Sequence, residues 1–170
     1  MKNNNDLHFG SKLKEDLINS FELVKDLVRK NDGRSRAGLM LGLQEMGATL
    51  NGFVGAYYPL TSNIIVMNKT PIRRINETNP SLIKPYSTHI LLHEYIHALG
   101  EIDENLVRKK TYEISKKNFG EDHVITKLSK NMEQFFPYLV YPVSGWVPPT
   151  NSPIELIKGF DKSSINNYIA

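Results

Sequence analysis

Apolar residues at helical spacing open the chain. Leu13, Leu17, Phe21, Val24 and Val28 recur every three or four positions, which predicts an amphipathic helix over residues 11–30. Ser11 can cap its start, and Asn31, Asp32 and Gly33 supply its stop. The period then changes. Three apolar runs, separated by Gly and Asn, predict short strands near 38–44, 52–58 and 63–68. Residues 69–86 hold Pro71, Pro80 and Pro85 and read as a loop. It is the most basic stretch of the chain, with Lys69, Arg73, Arg74 and Lys84. A helix follows from the capping residue Ser87 to Gly100. Two more are predicted over 104–118 and 122–136, the second stopped by Pro137. The tail from 138 onward carries Pro142, Pro148, Pro149 and Pro153. It reads as irregular, with one short helix after Ser152 and Pro153. The order helix, strands, helices predicts a small α+β fold with a short mixed sheet, a buried central helix and further C-terminal helices. We take residues 1–170 as one domain. Residues 11–103 form its core, 104–136 a helical part and 137–170 the irregular tail.

Composition removes several kinds of chemistry. The 170 residues contain no cysteine, which excludes a disulfide framework, a cysteine nucleophile, an iron–sulfur cluster and any thiolate zinc site. A metal would have to be held by His, Asp or Glu. The formal net charge of +3 is too mild to argue for nucleic acid, so no nucleic-acid partner is expected. No apolar run approaches the ~18 residues of a membrane span, and the Asn-rich start lacks the apolar stretch of a signal peptide. A cytoplasmic protein with no membrane partner is the expectation. Oligomeric state is not legible.

The central helix is where the pattern conflicts with itself. Ile90, Leu91, Leu92, Tyr95, Ile96, Ala98 and Leu99 point nearly all the way round it, so it should be buried. Yet His89, His93 and His97 form one stripe, each four residues apart, with Glu94 beside them. Buried imidazoles and a buried carboxylate are costly without partners, and a divalent metal removes that cost. His93 and His97 lie one turn apart on one face, so both rings can reach one ion. Glu94 is rotated about 100° from His93, so it suits a water beside the metal better than the metal itself. Two imidazoles with an oxygen donor point to Zn2+.

His93, Glu94 and His97 form the His-Glu-x-x-His (HEXXH) motif of zinc hydrolases. With it the chain resembles the zincin metallopeptidases over residues 11–103. Gly55 to Pro59, followed by Asn63 to Asn68, is similar to the turn and edge strand that precede the active-site helix in that class. The resemblance implies a zinc hydrolase that cuts a peptide or protein substrate, with His93 and His97 as metal ligands and Glu94 as general base. Glu94 would accept a proton from the attacking water and later pass it to the leaving amine. An extended peptide could add to the strand near 63–68. Tyr138, Tyr141 and His123 are candidate donors to the charge that builds on the carbonyl oxygen. The alternative is a non-catalytic binding or regulatory protein of zincin fold with a structural zinc.

A catalytic zinc takes a third protein ligand. Asp103 would complete the pattern of the metzincin branch, with Gly100 allowing the chain to turn back, or it caps the next helix. His123 is a second candidate. Glu113 and Glu104 resemble the downstream glutamate of the gluzincin branch. No metzincin Met-turn is evident, and Met132 reads as core.

Overall fold

The computed structural model describes residues 4–49, 52–136 and 152–163, and of residues 4–9 the backbone alone. Among these residues the chain is α+β, with five α-helices against a four-stranded mixed sheet. Helix α1 (Asn4–Asp32) begins earlier than its capping pattern suggests. Its predicted stripe is the face that packs: Leu13, Leu17, Phe21, Val24 and Val28 are all buried. Phe21 stands edge-on to Tyr95 and stacks on Phe160, with ring centres 4.1 Å apart in the latter pair.

Strands β1 (Met40–Gln44), β2 (Ala56–Tyr57) and β3 (Ile64–Asn68) fall within the three apolar runs. β3 lies parallel to β1, with Leu41 opposite Ile65 and Leu43 opposite Met67. β2 pairs antiparallel with β3 and has no neighbour on its other side. The period-2 alternation sends Leu41, Leu43, Ile65 and Met67 into the core, where the helices cover them. The fourth strand, β4 (Glu155–Ile157), pairs antiparallel with β1, Ile157 opposite Leu41. This corrects the short helix expected after Ser152 and Pro153. The segment is held by a partner far away in sequence, a force that local composition does not carry.

The stretch 69–86 is not a loop. Asn68 caps helix α2 (Lys69–Thr78) with its side chain accepting from the Thr70 backbone, and Pro71 sits in the first turn, where no amide donor is needed. Pro80 opens a short 3-10 turn, and Pro85 lies in the first turn of α3 (Ile83–Ala98). Its cations are paired: Lys69 with Glu155, Arg73 with Glu45, Arg74 with Glu77 and Lys84 with Asp16. Asn68 is fully buried and also ties two further backbone segments to the helix. Its amide donates to the Gly47 and Val54 carbonyls at 2.9 Å, and its oxygen accepts from the Met46 amide at 3.0 Å.

Helix α4 (Glu104–Phe119) agrees with its predicted span. The final predicted helix is shorter: α5 (Val124–Lys130) ends at Asn131, and a 3-10 turn covers Met132–Phe135. Most of the tail, with Tyr138 and Tyr141, lies outside the described residues. No described helix is long and apolar enough to cross a membrane.

Candidate metal centre

Helix α3 is buried on nearly all sides, with Leu91, Leu92, Tyr95 and Ile96 almost wholly out of solvent. Its histidine stripe faces a cleft of about 750 Å³. One wall of the cleft is the segment running from Phe53 through β2 to Leu60, and the other comes from α4, α5 and the 3-10 turn at Met132. At the end of α3 the Leu99 amide donates to the Tyr95 carbonyl and the Gly100 amide to the His97 carbonyl. Gly100 then takes a φ of 101°, a left-handed conformation in which a side chain would be strained. This tight reversal starts α4 directly beside the histidines.

The reversal brings Glu104 to the site. One carboxylate oxygen of Glu104 lies 3.0 Å from His93 Nε2, and the other lies 3.0 Å from His97 Nε2. The two rings stand 5.0 Å apart, centre to centre. His93, His97 and Glu104 each offer a ligand atom, and all these atoms lie within 4.8 Å of one another. Asp103 is not in this group. It is the N-cap of α4, in extended conformation, and its carboxylate accepts from the Leu106 amide at 2.8 Å. An aspartate so committed points along its own helix, and the first helical residue faces the imidazoles instead. His123 caps α5, its Nδ1 accepting from the Ile125 amide at 3.2 Å, and its ring stacks on Phe119. Glu113 is exposed and pairs with Lys109. The structure thus assembles Glu104 with the motif and leaves Asp103, His123 and Glu113 in other tasks.

The proton positions give this group its meaning. His97 Nδ1 lies 2.7 Å from the Glu101 carbonyl oxygen. A carbonyl only accepts, so Nδ1 carries the hydrogen, which leaves Nε2 as the ring atom turned to Glu104. Nε2 lies 3.0 Å from a Glu104 carboxylate oxygen. Only a proton on Nε2 or a cation shared between the two atoms makes that contact favourable. Burial pushes His93 below its ordinary value, against the pull of Glu104. Two imidazole nitrogens and a carboxylate oxygen, with one ring fixed by a backbone acceptor, match the donor set of a three-ligand zinc site.

Around this group the other polar residues fall into place. Glu94 is buried on the cleft wall, and burial raises its carboxyl to about 7 against the opposing effect of His97. Burial would raise Glu104 as well, but His93 and His97 hold it below its ordinary value. His89 lines the cleft one turn before His93. Burial, then the neighbouring His93, lowers it to about 4, and its Nδ1 has no partner among the described residues. Arg108, one turn beyond Glu104, also lines the cleft. Its Nε donates to Glu104 at 3.2 Å. Sequence reasoning gave this arginine no role, although its spacing of four from a candidate ligand was the available signal.

The chain has no match among known protein families, curated proteins or solved structures.

Proposed function

We propose that this protein is a zinc-dependent metallopeptidase whose metal is held by His93, His97 and Glu104. The observation that carries the reading is the convergence of His93 Nε2, His97 Nε2 and the Glu104 carboxylate, whose ligand atoms all lie within 4.8 Å of one another. Glu104 replaces Asp103 as the third ligand in this reading. When bound, zinc would supply Lewis acidity to the scissile carbonyl and to the attacking water.

The rest of the chemistry belongs to the chain. Glu94 follows His93 directly, and its burial makes it a strong enough base to take a proton from water yet able to release it to the leaving amine. A purely structural metal has no need of a buried carboxylate there. The strand that would receive an extended peptide is β2 and not β3. β3 lies between β1 and β2, so both its edges are in use, whereas β2 has no second partner among the described residues and lines the cleft. Val54, Tyr57 and Leu60 on that wall are exposed apolar residues that would contact substrate side chains.

The test is metal analysis of the purified protein together with hydrolysis of fluorescently labelled casein. One zinc per chain and casein cleavage that stops on chelation are expected. A chain that takes up no zinc, or cleavage unaffected by chelation, would overturn the reading.

A further inference from the structure

We propose that Arg108 is a catalytic residue of this site, the group that takes up the negative charge forming on the substrate carbonyl oxygen. The inference rests on the peptidase reading above and adds a residue to it. Glu104 and Arg108 are four apart on α4, so they share a face. Arg108 Nε donates to the same Glu104 oxygen that lies 3.0 Å from His93 Nε2, which places the guanidinium one hydrogen bond from the ligand cluster. Only that Nε is engaged. Among the described residues neither terminal nitrogen has a partner, and the side chain lines the cleft with 70% of its surface exposed. The other cation of the cleft wall, Lys130, is drawn towards Glu121 at 3.6 Å. His123, an expected donor for this charge, caps α5 and does not line the cleft. Arg108 is therefore a guanidinium fixed at one end and open at the other, beside the place where the reaction would occur.

The step balances within the chain. Water oxygen bonds to the carbonyl carbon, one water proton passes to Glu94, and the carbonyl π pair moves onto oxygen as a full negative charge. The free terminal nitrogens of Arg108 donate to that oxygen. When the charge returns to re-form the carbonyl, the C–N bond breaks and Glu94 delivers its proton to the departing nitrogen. A preorganised donor of this kind contributes on the order of 10²–10³ in rate.

The experiment compares zinc-loaded wild type with Arg108→Ala and Arg108→Lys. The readouts are zinc per chain, kcat and KM on labelled casein, and the Kd of N-phosphoryl-leucinamide, a tetrahedral anion that mimics the charged intermediate. For Arg108→Ala we expect unchanged zinc, a kcat about 100-fold lower with KM little altered, and phosphoryl-leucinamide binding weakened by a similar factor. Arg108→Lys should recover part of both losses. Loss of zinc in Arg108→Ala would show that the arginine only orients Glu104 and would overturn the proposal. So would an unchanged kcat, or an effect on KM alone. Failure of the wild type itself to cut casein would instead remove the peptidase reading on which the proposal stands.

Discussion

Two charged clusters in this molecule meet burial in opposite ways. On α1, Lys25 is buried against Asp161, donates to Ser163 at 2.5 Å and reaches Glu22 at 2.9 Å. Asp161 also accepts from the Gly38 amide at 2.7 Å. Each donor there meets an acceptor, so the cluster is complete without anything added. At the junction of α3 and α4, two imidazoles converge on one carboxylate: His93 Nε2 and His97 Nε2 each lie 3.0 Å from a Glu104 oxygen. The first arrangement fastens the segment after β4 to α1. The second, in the function proposed above, is completed by a metal ion. Satisfaction of polar groups, more than their burial, separates a structural ion pair from a candidate centre.

The comparison breaks most easily at Glu94. Glu94→Gln should keep one zinc per chain and slow casein cleavage by about 10²–10⁴-fold, measured under saturating zinc. A variant that cuts at the wild-type rate would remove Glu94 from the chemistry. Next in size is the complete cluster. Asp161→Ala leaves Lys25 buried with fewer partners and should cost about 3 kcal/mol in urea unfolding while zinc content stays the same. A third pair of variants separates neighbours at the start of α4. Glu104→Ala should lose stoichiometric zinc with little effect on the metal-free fold. Asp103→Ala should keep its zinc and lose about 1 kcal/mol through the missing cap. Zinc retained in the first variant and lost in the second would reverse our assignment. His123→Ala should also keep its zinc.

The smallest expected effect is a pH dependence in the Lys25 cluster. Burial would raise Glu22, but its bonds with Lys25 and Ser163 dominate and hold it below the ordinary 4.5. A depressed carboxylate contributes stability that is fully present above the unfolded value and is lost as pH falls through the lower folded one. Stability of the wild type should therefore decline below pH 4.5 slightly more steeply than that of Glu22→Gln, by under about 1 kcal/mol because Glu22 is part-exposed. Parallel acid-unfolding curves would contradict this.

How far these features can be read from the sequence depends on the range of the force that makes them. The α1 stripe and the His93–His97 face follow from helical geometry, and both are found where periodicity puts them. α2 was hidden because Pro71, Pro80 and Pro85 look like breakers. All three occupy first turns, and Asn68 two residues before Thr70 was the cap that could have revealed it. β4 has no local signature, since β1 determines it from more than a hundred residues away. Asp103 and Glu104 differ by one position. Sequence spacing suits either, and the capping bond to Leu106 decides which one turns towards the histidines.

The reversal at Gly100 carries a mechanical consequence. All three donors lie between residues 93 and 104, so an ion there would cross-link only a short stretch and restrict little of the unfolded chain. Its effect would be that of a pin through an elbow, fixing the angle between two rods whose hinge is a single glycine. Stripped of the pin, the molecule should keep its apolar interior and let the joint swing.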